Sequence, residues 1–261
     1  MKESLAIAVI QADLYWEDVT ANLSSLEETI ATFDKPADVI VLPEMFNTGF
    51  TMNVAFAEPM NLTTTRWMKQ IAKQTGALII GSFAVKEGQN YFNRLLYVFP
   101  DGHSTAYDKR HLFRMGEEHQ TYSSGTASNQ VVWQGWNIRG LVCYDLRFPV
   151  WSRNTLSDPY DLLIYVANWP ARRVSAWDTL LKARAIENQS YVVGVNRVGA
   201  DGQGIEHNGH SVVNDFFGEP MVLSGETAGY RIVTISKDNL DAYRKSFPAY
   251  LDADEFSLLT Q

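Results

Sequence analysis

The sequence predicts an α/β protein, a mixed sheet pair flanked by helices. Strand-length apolar runs alternate with helix-period stripes near both ends of the chain. Between them lie closely spaced strand runs separated by tight turns.

The run SLAIAVIQ at 4–11 is almost continuously apolar, as a strand buried on both faces requires. Val19, Leu23, Leu26, Ile30 and Phe33 then recur at steps of four and three, along one stripe of a helix. DVIVLPE at 38–44 is a short strand stopped by proline, and 63–74 reads as a second helix closed by Gly76. ALIIGSFAV and NRLLYVF, rich in β-branched and aromatic residues, are expected to be antiparallel neighbours, with a tight reversal at Pro100 to Gly102. IRGLVC, DLLIYVA and YVVGVNRV read as later strands, and 175–188 as an amphipathic helix with Ser175 as its N-cap. HSVVND, PMVLSG and YRIVTIS complete the set. Periodicity alone leaves a doubly wound open sheet as an alternative.

No repeat, low-complexity tract or flexible linker divides the chain, so a single domain over 1–261 is expected. The stretch 247–261 has aromatics and acids without a period, and is expected to be an arm at a dimer interface. A formal net charge of -8 repels phosphate backbones and anionic lipid, so neither nucleic acid nor membrane is an expected partner. An anionic substrate must therefore meet a local cluster of positive charge. With no apolar run of membrane-spanning length and no signal-like start, a cytoplasmic protein is expected.

The chain has one cysteine, Cys143, which rules out an internal disulfide and any multi-cysteine metal site. A lone cysteine is commonly a small buried hydrophobe. This one closes an apolar strand run, where a loop can present the sulfur to a pocket. Glu44 ends DVIVLPE in the same manner, and Lys109 follows the strand-like STAY. Singly, such an acid is a solvated turn residue and such a lysine part of a charged surface. Together they form a kit for acyl transfer: a thiol, a base for its proton, and a cation for the charge that develops on a carbonyl oxygen. The histidines lack metal-ligand spacing, and DGQG at 201–204 reads as a hairpin turn rather than a phosphate loop.

The segments VLPEM, YDKRHLF and VCYDLRFP, in this order, resemble the Glu-Lys-Cys signature of the nitrilase (carbon-nitrogen hydrolase) superfamily. ANWP at 167–170, ARAIENQ at 183–189 and GHSVVN at 209–214 extend the likeness along nearly the whole chain, and it is nearest to the bacterial ω-amidase branch. The resemblance implies a four-layer α-β-β-α sandwich and a homodimer. It also implies catalytic roles for Cys143 as nucleophile, Glu44 as general base and Lys109 as the cation at the tetrahedral intermediate. A second glutamate is aligned to Glu118 rather than Glu117, from its distance before Gly125. No metal or organic cofactor has a task in that chemistry. The substrate implied is a small 2-oxo acid amide, hydrolysed to the carboxylate and ammonia. A carbamoylase, an aliphatic amidase, a nitrilase or a catalytically idle binding protein with this fold are the alternatives.

A 2-oxo acid carries a carboxylate, for which Arg172 and Arg173, after Trp169 and Pro170, are the expected partners, one of the two being only solvated. Arg147 is expected to be an ion-pair partner of one of the glutamates. Tyr144, Phe46 and Trp169 are candidate apolar walls of the substrate pocket.

Overall fold

Strand β1 (Ser4–Gln11) is apolar throughout because both of its faces are covered: Leu5, Ile7 and Val9 face one hydrophobic layer, Ala8 and Ile10 another. The computed structural model describes residues 2–258. After β1 come helix α1 (Val19–Ala31), β2 (Val39–Val41), α2 (Thr63–Thr75), β3 (Leu78–Glu87), β4 (Asn90–Val98), β5 (Ser104–Asp108) and the short α3 (Glu118–Thr121). The chain continues through β6 (Gln130–Trp133), β7 (Trp136–Val142), α4 (Pro149–Ser152), β8 (Leu162–Ala167), α5 (Val174–Asn188) and β9 (Tyr191–Asn196). It ends with β10 (Val198–Ala200), β11 (Glu206–Asn208), β12 (Val212–Asn214), β13 (Pro220–Leu223), β14 (Gly229–Ser236) and α6 (Lys237–Ser246).

Two six-stranded sheets result, ordered β14-β1-β2-β3-β4-β5 and β6-β7-β8-β9-β12-β13. Read in those directions their pairings are the same: antiparallel, parallel, parallel, antiparallel, antiparallel. Leu5, Val9, Val41 and Ile80 of the first sheet share a core with strands of the second and with Trp177 and Leu181 of α5. Ile10, Ile40 and Ile79, on the other face of the first sheet, pack on Leu26 of α1 and Met68 of α2. The layers are therefore helix, sheet, sheet, helix, and the doubly wound open sheet is set aside. No described helix is long and apolar enough to cross a membrane.

Local chemistry sets the element ends. The Asp18 side chain accepts from the Ala21 N–H at 2.9 Å to start α1, and Gly76, at φ +71°, closes α2 in the left-handed region. Ser175 does not cap α5. A 3-10 turn over Ala171–Arg173 leads directly into the helix, so Arg173 takes the cap position and Ser175 falls inside the first turn. Helix α6 has a narrow apolar stripe, Leu240 and Tyr243, with the Tyr243 ring stacked on Phe216 at 4.7 Å. Leu240 is its buried residue, and Lys237 and Arg244 tie it to the buried Asp161 at 2.6 and 2.9 Å. Beyond it, Phe247, Leu251, Phe256 and Leu258 are exposed around a 3-10 turn at Ala249–Asp252, while 259–261 of the expected arm lie outside the described residues.

Candidate active site

The ends of β2, β5, β7 and β8 converge on one cleft. Past β2, Phe46 N–H bonds to the Ser82 carbonyl and Met45 N–H to its hydroxyl, and Met45 takes φ +43°. This sharp turn leaves Glu44 completely buried. Lys109 extends the β4–β5 ladder by one residue, its N–H donating to the Asn93 carbonyl at 2.9 Å. Its side chain is thereby held inside, where Nζ donates to Glu44 Oε1 at 2.8 Å and lies 2.9 Å from Glu118 Oε2.

Three buried charges demand dense hydrogen bonding, because an unpaired ion in a dry interior costs several kcal/mol. Asn93 Nδ2 bridges the two carboxylates, 2.8 Å from Glu44 and 3.1 Å from Glu118. The Asn168 N–H, past β8, donates to Glu44 Oε2 at 2.9 Å, and the Phe113 N–H donates to Glu118 Oε2 at 2.6 Å. Glu118 rather than Glu117 faces Lys109; Glu117 is exposed, at φ +57°. Burial alone would lower the lysine pKa, but Glu118 and Glu44 outweigh it and hold the ammonium above its ordinary value. Burial pushes the Glu118 carboxyl up against the pull of Lys109, and Glu44 adds to the rise.

Cys143 opens a 3-10 turn (Cys143–Arg147) at the end of β7, at φ +44°. Such a conformation is uncommon for a residue with a side chain and concentrates at functional sites. The sulfur lies in the same cleft as Glu44 and Lys109, 4.0 Å from the Asn168 carbonyl. Burial raises the thiol well above its ordinary pKa, Glu44 adds to this, and Lys109 works against it. Burial thus favours the protonated thiol, whose hydrogen-bond partner is the Asn168 carbonyl. The first N–H groups of such a turn, that of Tyr144 among them, lack partners within it.

The cleft holds about 110 Å³, the scale of a small molecule rather than a polymer. Tyr144, Trp169, Arg172 and Arg173 all line it. Phe46 does not: it is fully buried against Trp67 and Phe83 in the helix-side core, because the turn at Met45 sends it away from Glu44. Phe50 supplies the aromatic wall instead, 5.2 Å from Lys109 Nζ. Arg147 is also misplaced by the sequence reading. It forms no ion pair with a glutamate among the described residues; its guanidinium lies over the Trp169 ring at 4.9 Å and lines the cleft. Arg173, half-buried over Phe113 at 5.2 Å, has its pKa lowered by burial and then by Arg172 and Arg147, so three cations share this wall. Arg172 is exposed at the rim.

Asn93 escaped the sequence reading because a neutral amide carries no signature of its own, and Asn168 entered it only as part of the ANWP landmark, without a role. The β10–β11 hairpin, with its turn at Asp201–Gly204, supplies a further wall through Asp201, Gln203, Ile205 and His207. His207 is almost fully buried, and burial followed by Arg197 lowers its pKa to about 4.

A buried acid-lysine-acid cluster beside one thiol, at the edge of a four-layer sandwich, is the machinery of a cysteine-dependent hydrolase. The sequence profile of the family described as carbon-nitrogen hydrolase matches residues 6–245. The chain is 49% identical to the Escherichia coli omega-amidase YafV, covering 97% of this chain and 98% of the relative. It is 32% identical to the Bacillus subtilis 2-oxoglutaramate amidase, with 94% and 96% covered. Among solved structures, a Xanthomonas campestris protein of the CN-hydrolase superfamily, which has an arsenic adduct in its active site, superposes with a TM-score of 0.95. The two are 43% identical, over 98% of this chain and all of that one. The chain belongs to the carbon-nitrogen hydrolase family, and it is an amide-cleaving hydrolase.

Proposed function

We propose that this chain hydrolyses the terminal amide of a small 2-oxo acid amide, such as 2-oxoglutaramate or 2-oxosuccinamate, through a thioester on Cys143. The observation that carries the reading is the pairing of a buried Glu44-Lys109-Glu118 cluster beside the thiol with an arginine wall in the same small cleft. The names of the E. coli and B. subtilis relatives support it.

In this reading Glu44 takes the thiol proton as sulfur attacks the amide carbonyl, and Lys109 with the Tyr144 N–H receives the oxyanion. The proton returns from Glu44 to nitrogen as the C–N bond breaks, releasing ammonia. Glu44 then takes a proton from water, whose oxygen attacks the thioester, and the sulfur leaves with that proton restored to it. Glu118 keeps Lys109 charged and aimed. Arg147, Arg172 and Arg173 are the cations available to the substrate carboxylate, supported by the lack of ion pairs to any of them among the described residues. Tyr144 and Trp169 are the apolar walls.

The proposal extends to a single cytoplasmic domain over 1–261 that pairs as a homodimer through the exposed apolar arm after Phe247. Ammonia release measured on 2-oxoglutaramate, a nitrile, an N-carbamoyl amino acid and simple amides tests the substrate class. The 2-oxo acid amide is expected to have the highest kcat/KM, and a clear preference for any other arm rejects the assignment.

A further inference from the structure

Asp145 lies two residues past Cys143 in the same turn, and its carboxylate is completely buried. Its Oδ1 accepts the His111 backbone N–H at 3.0 Å and lies 2.7 Å from His111 Nδ1. Its Oδ2 accepts the Tyr107 hydroxyl at 2.7 Å and the Val142 N–H at 3.0 Å. A carboxylate only accepts, so His111 Nδ1 carries a proton. Tyr107 and His111 bracket Lys109, and Val142 immediately precedes Cys143. One anion thus gathers both ends of the lysine segment, from the first sheet, and the backbone entering the nucleophile turn, from the second.

The receptor is itself braced. The Tyr107 hydroxyl accepts from the Arg110 N–H at 3.2 Å and from Trp151 Nε1 at 3.0 Å, and the His111 ring stacks on Phe148 with centroids 3.7 Å apart. As a means of stability alone such a group is inefficient, since apolar replacements of buried ionic networks are often as stable. What four converging bonds do supply is a fixed distance between two segments that no local contact in sequence holds together.

We propose that Asp145 is a positioning residue for the amide hydrolysis: it sets the separation of the Lys109 ammonium and the Cys143 sulfur across the junction of the two sheets. This rests on the thioester reading above. In Asp145→Asn the side chain keeps one acceptor oxygen, and two of the four donors face an NH₂ group instead. The lysine segment or the nucleophile turn must then shift, and a displacement near 1 Å can cost on the order of a hundredfold in rate.

The test uses Asp145→Asn and His111→Ala in the 261-residue chain, the second because its ring is 21% exposed where Asp145 is completely buried, which puts the fold at less risk. Thermal melting, steady-state kinetics on 2-oxoglutaramate, and the rate of Cys143 alkylation by iodoacetamide against pH are measured. For folded Asp145→Asn, kcat is expected to fall on the order of a hundredfold with a much smaller change in KM, and the alkylation profile to move along the pH axis. His111→Ala is expected to show the same pattern with a smaller fall. A folded Asp145→Asn whose kcat and alkylation profile match the parent overturns the proposal. So does a loss that merely tracks the unfolded fraction in both variants with the profile unmoved. Alkylation needs no substrate, so an unmoved profile refutes only the role of Asp145, whereas turnover surviving in Cys143→Ala refutes the thioester reading itself.

Discussion

The two sheets run through the same series of strand pairings yet contribute opposite things to the cleft. From the first come the charges: Glu44 past β2, Lys109 past β5 and Glu118 in α3. From the second come the neutral groups of the reaction centre, Cys143 past β7 and Asn168 past β8, together with the arginines of the outer wall. Glu44 and Asn168 follow the middle parallel strand of their respective sheets, and they bond to each other twice, the second time through Asn168 Nδ2 and the Glu44 carbonyl at 2.5 Å. The connections differ as well. β3 meets β4 through a two-residue turn at Gly88 and Gln89, whereas the chain between β9 and β12 is drawn out into the β10–β11 hairpin that walls the cleft. The shared plan builds the scaffold, and the departures from it build the chemistry. Energetically, the buried Glu44-Lys109-Glu118 cluster requires compensation for desolvation, whereas the thiol of Cys143 and the amide of Asn168 do not.

The strongest way to break this contrast is Cys143→Ala. In the second half it removes the proposed nucleophile, and turnover should fall by at least about four orders of magnitude, as for nucleophiles of other acyl-transfer enzymes. The urea midpoint should hardly move, because no charge loses a partner. Turnover near the parent level would remove the cysteine from the mechanism. In the first half, Lys109→Ala should abolish activity and also cost about 3–5 kcal/mol of stability, the usual penalty for leaving buried carboxylates without their cation. Equal urea midpoints for the two variants would show that the halves do not differ in this way.

The sequence displayed the scaffold better than its division. Apolar runs such as SLAIAVIQ announce doubly covered strands, and Gly76 announces a helix end, because each depends on local composition. That the strands divide into two matching sheets is a matter of long-range pairing, and no sequence repeat accompanies it. Helix α6 was not legible because its apolar stripe is only Leu240 and Tyr243, and two salt bridges to Asp161 complete its attachment. In the site, reactive side chains at strand ends could be read, with family resemblance assigning their roles. Phe46 could not, since a single left-handed residue at Met45 decides whether it faces the cleft or the core. Arg147 was expected to follow charge to a glutamate, but Lys109 already occupies both carboxylates, and the guanidinium stacks on Trp169 instead.

A smaller effect sharpens the contrast at the arginine wall, which belongs entirely to the second half. Arg147→Leu should raise KM for 2-oxoglutaramate by roughly ten- to a hundredfold and leave kcat within a few-fold, the pattern of an interaction made equally in ground and transition states. An amide lacking the carboxylate should show no such loss. If kcat falls while KM stays constant, Arg147 acts on the reacting atoms and the division between binding wall and reaction centre is wrongly drawn.

The smallest effect concerns the hairpin that only the second half possesses. His207 has a folded-state pKa of about 4, lowered first by burial and then by Arg197, against about 6.5 in an unfolded chain. Between those values the unfolded chain binds a proton that the folded chain refuses. Stability therefore falls as pH falls through this window, with a slope from this residue of at most about 1.4 kcal/mol per pH unit, and the contribution is constant above it. In His207→Leu that part of the acid limb should vanish, so urea unfolding between pH 6.5 and 4.5 should show a shallower decline than in the parent, with the two curves parallel above pH 7. Parallel curves throughout would mean that the imidazole is solvated in the folded protein. The hairpin would then be a loose flap rather than a packed wall of the cleft, and the asymmetry between the sheets would be one of sequence length alone.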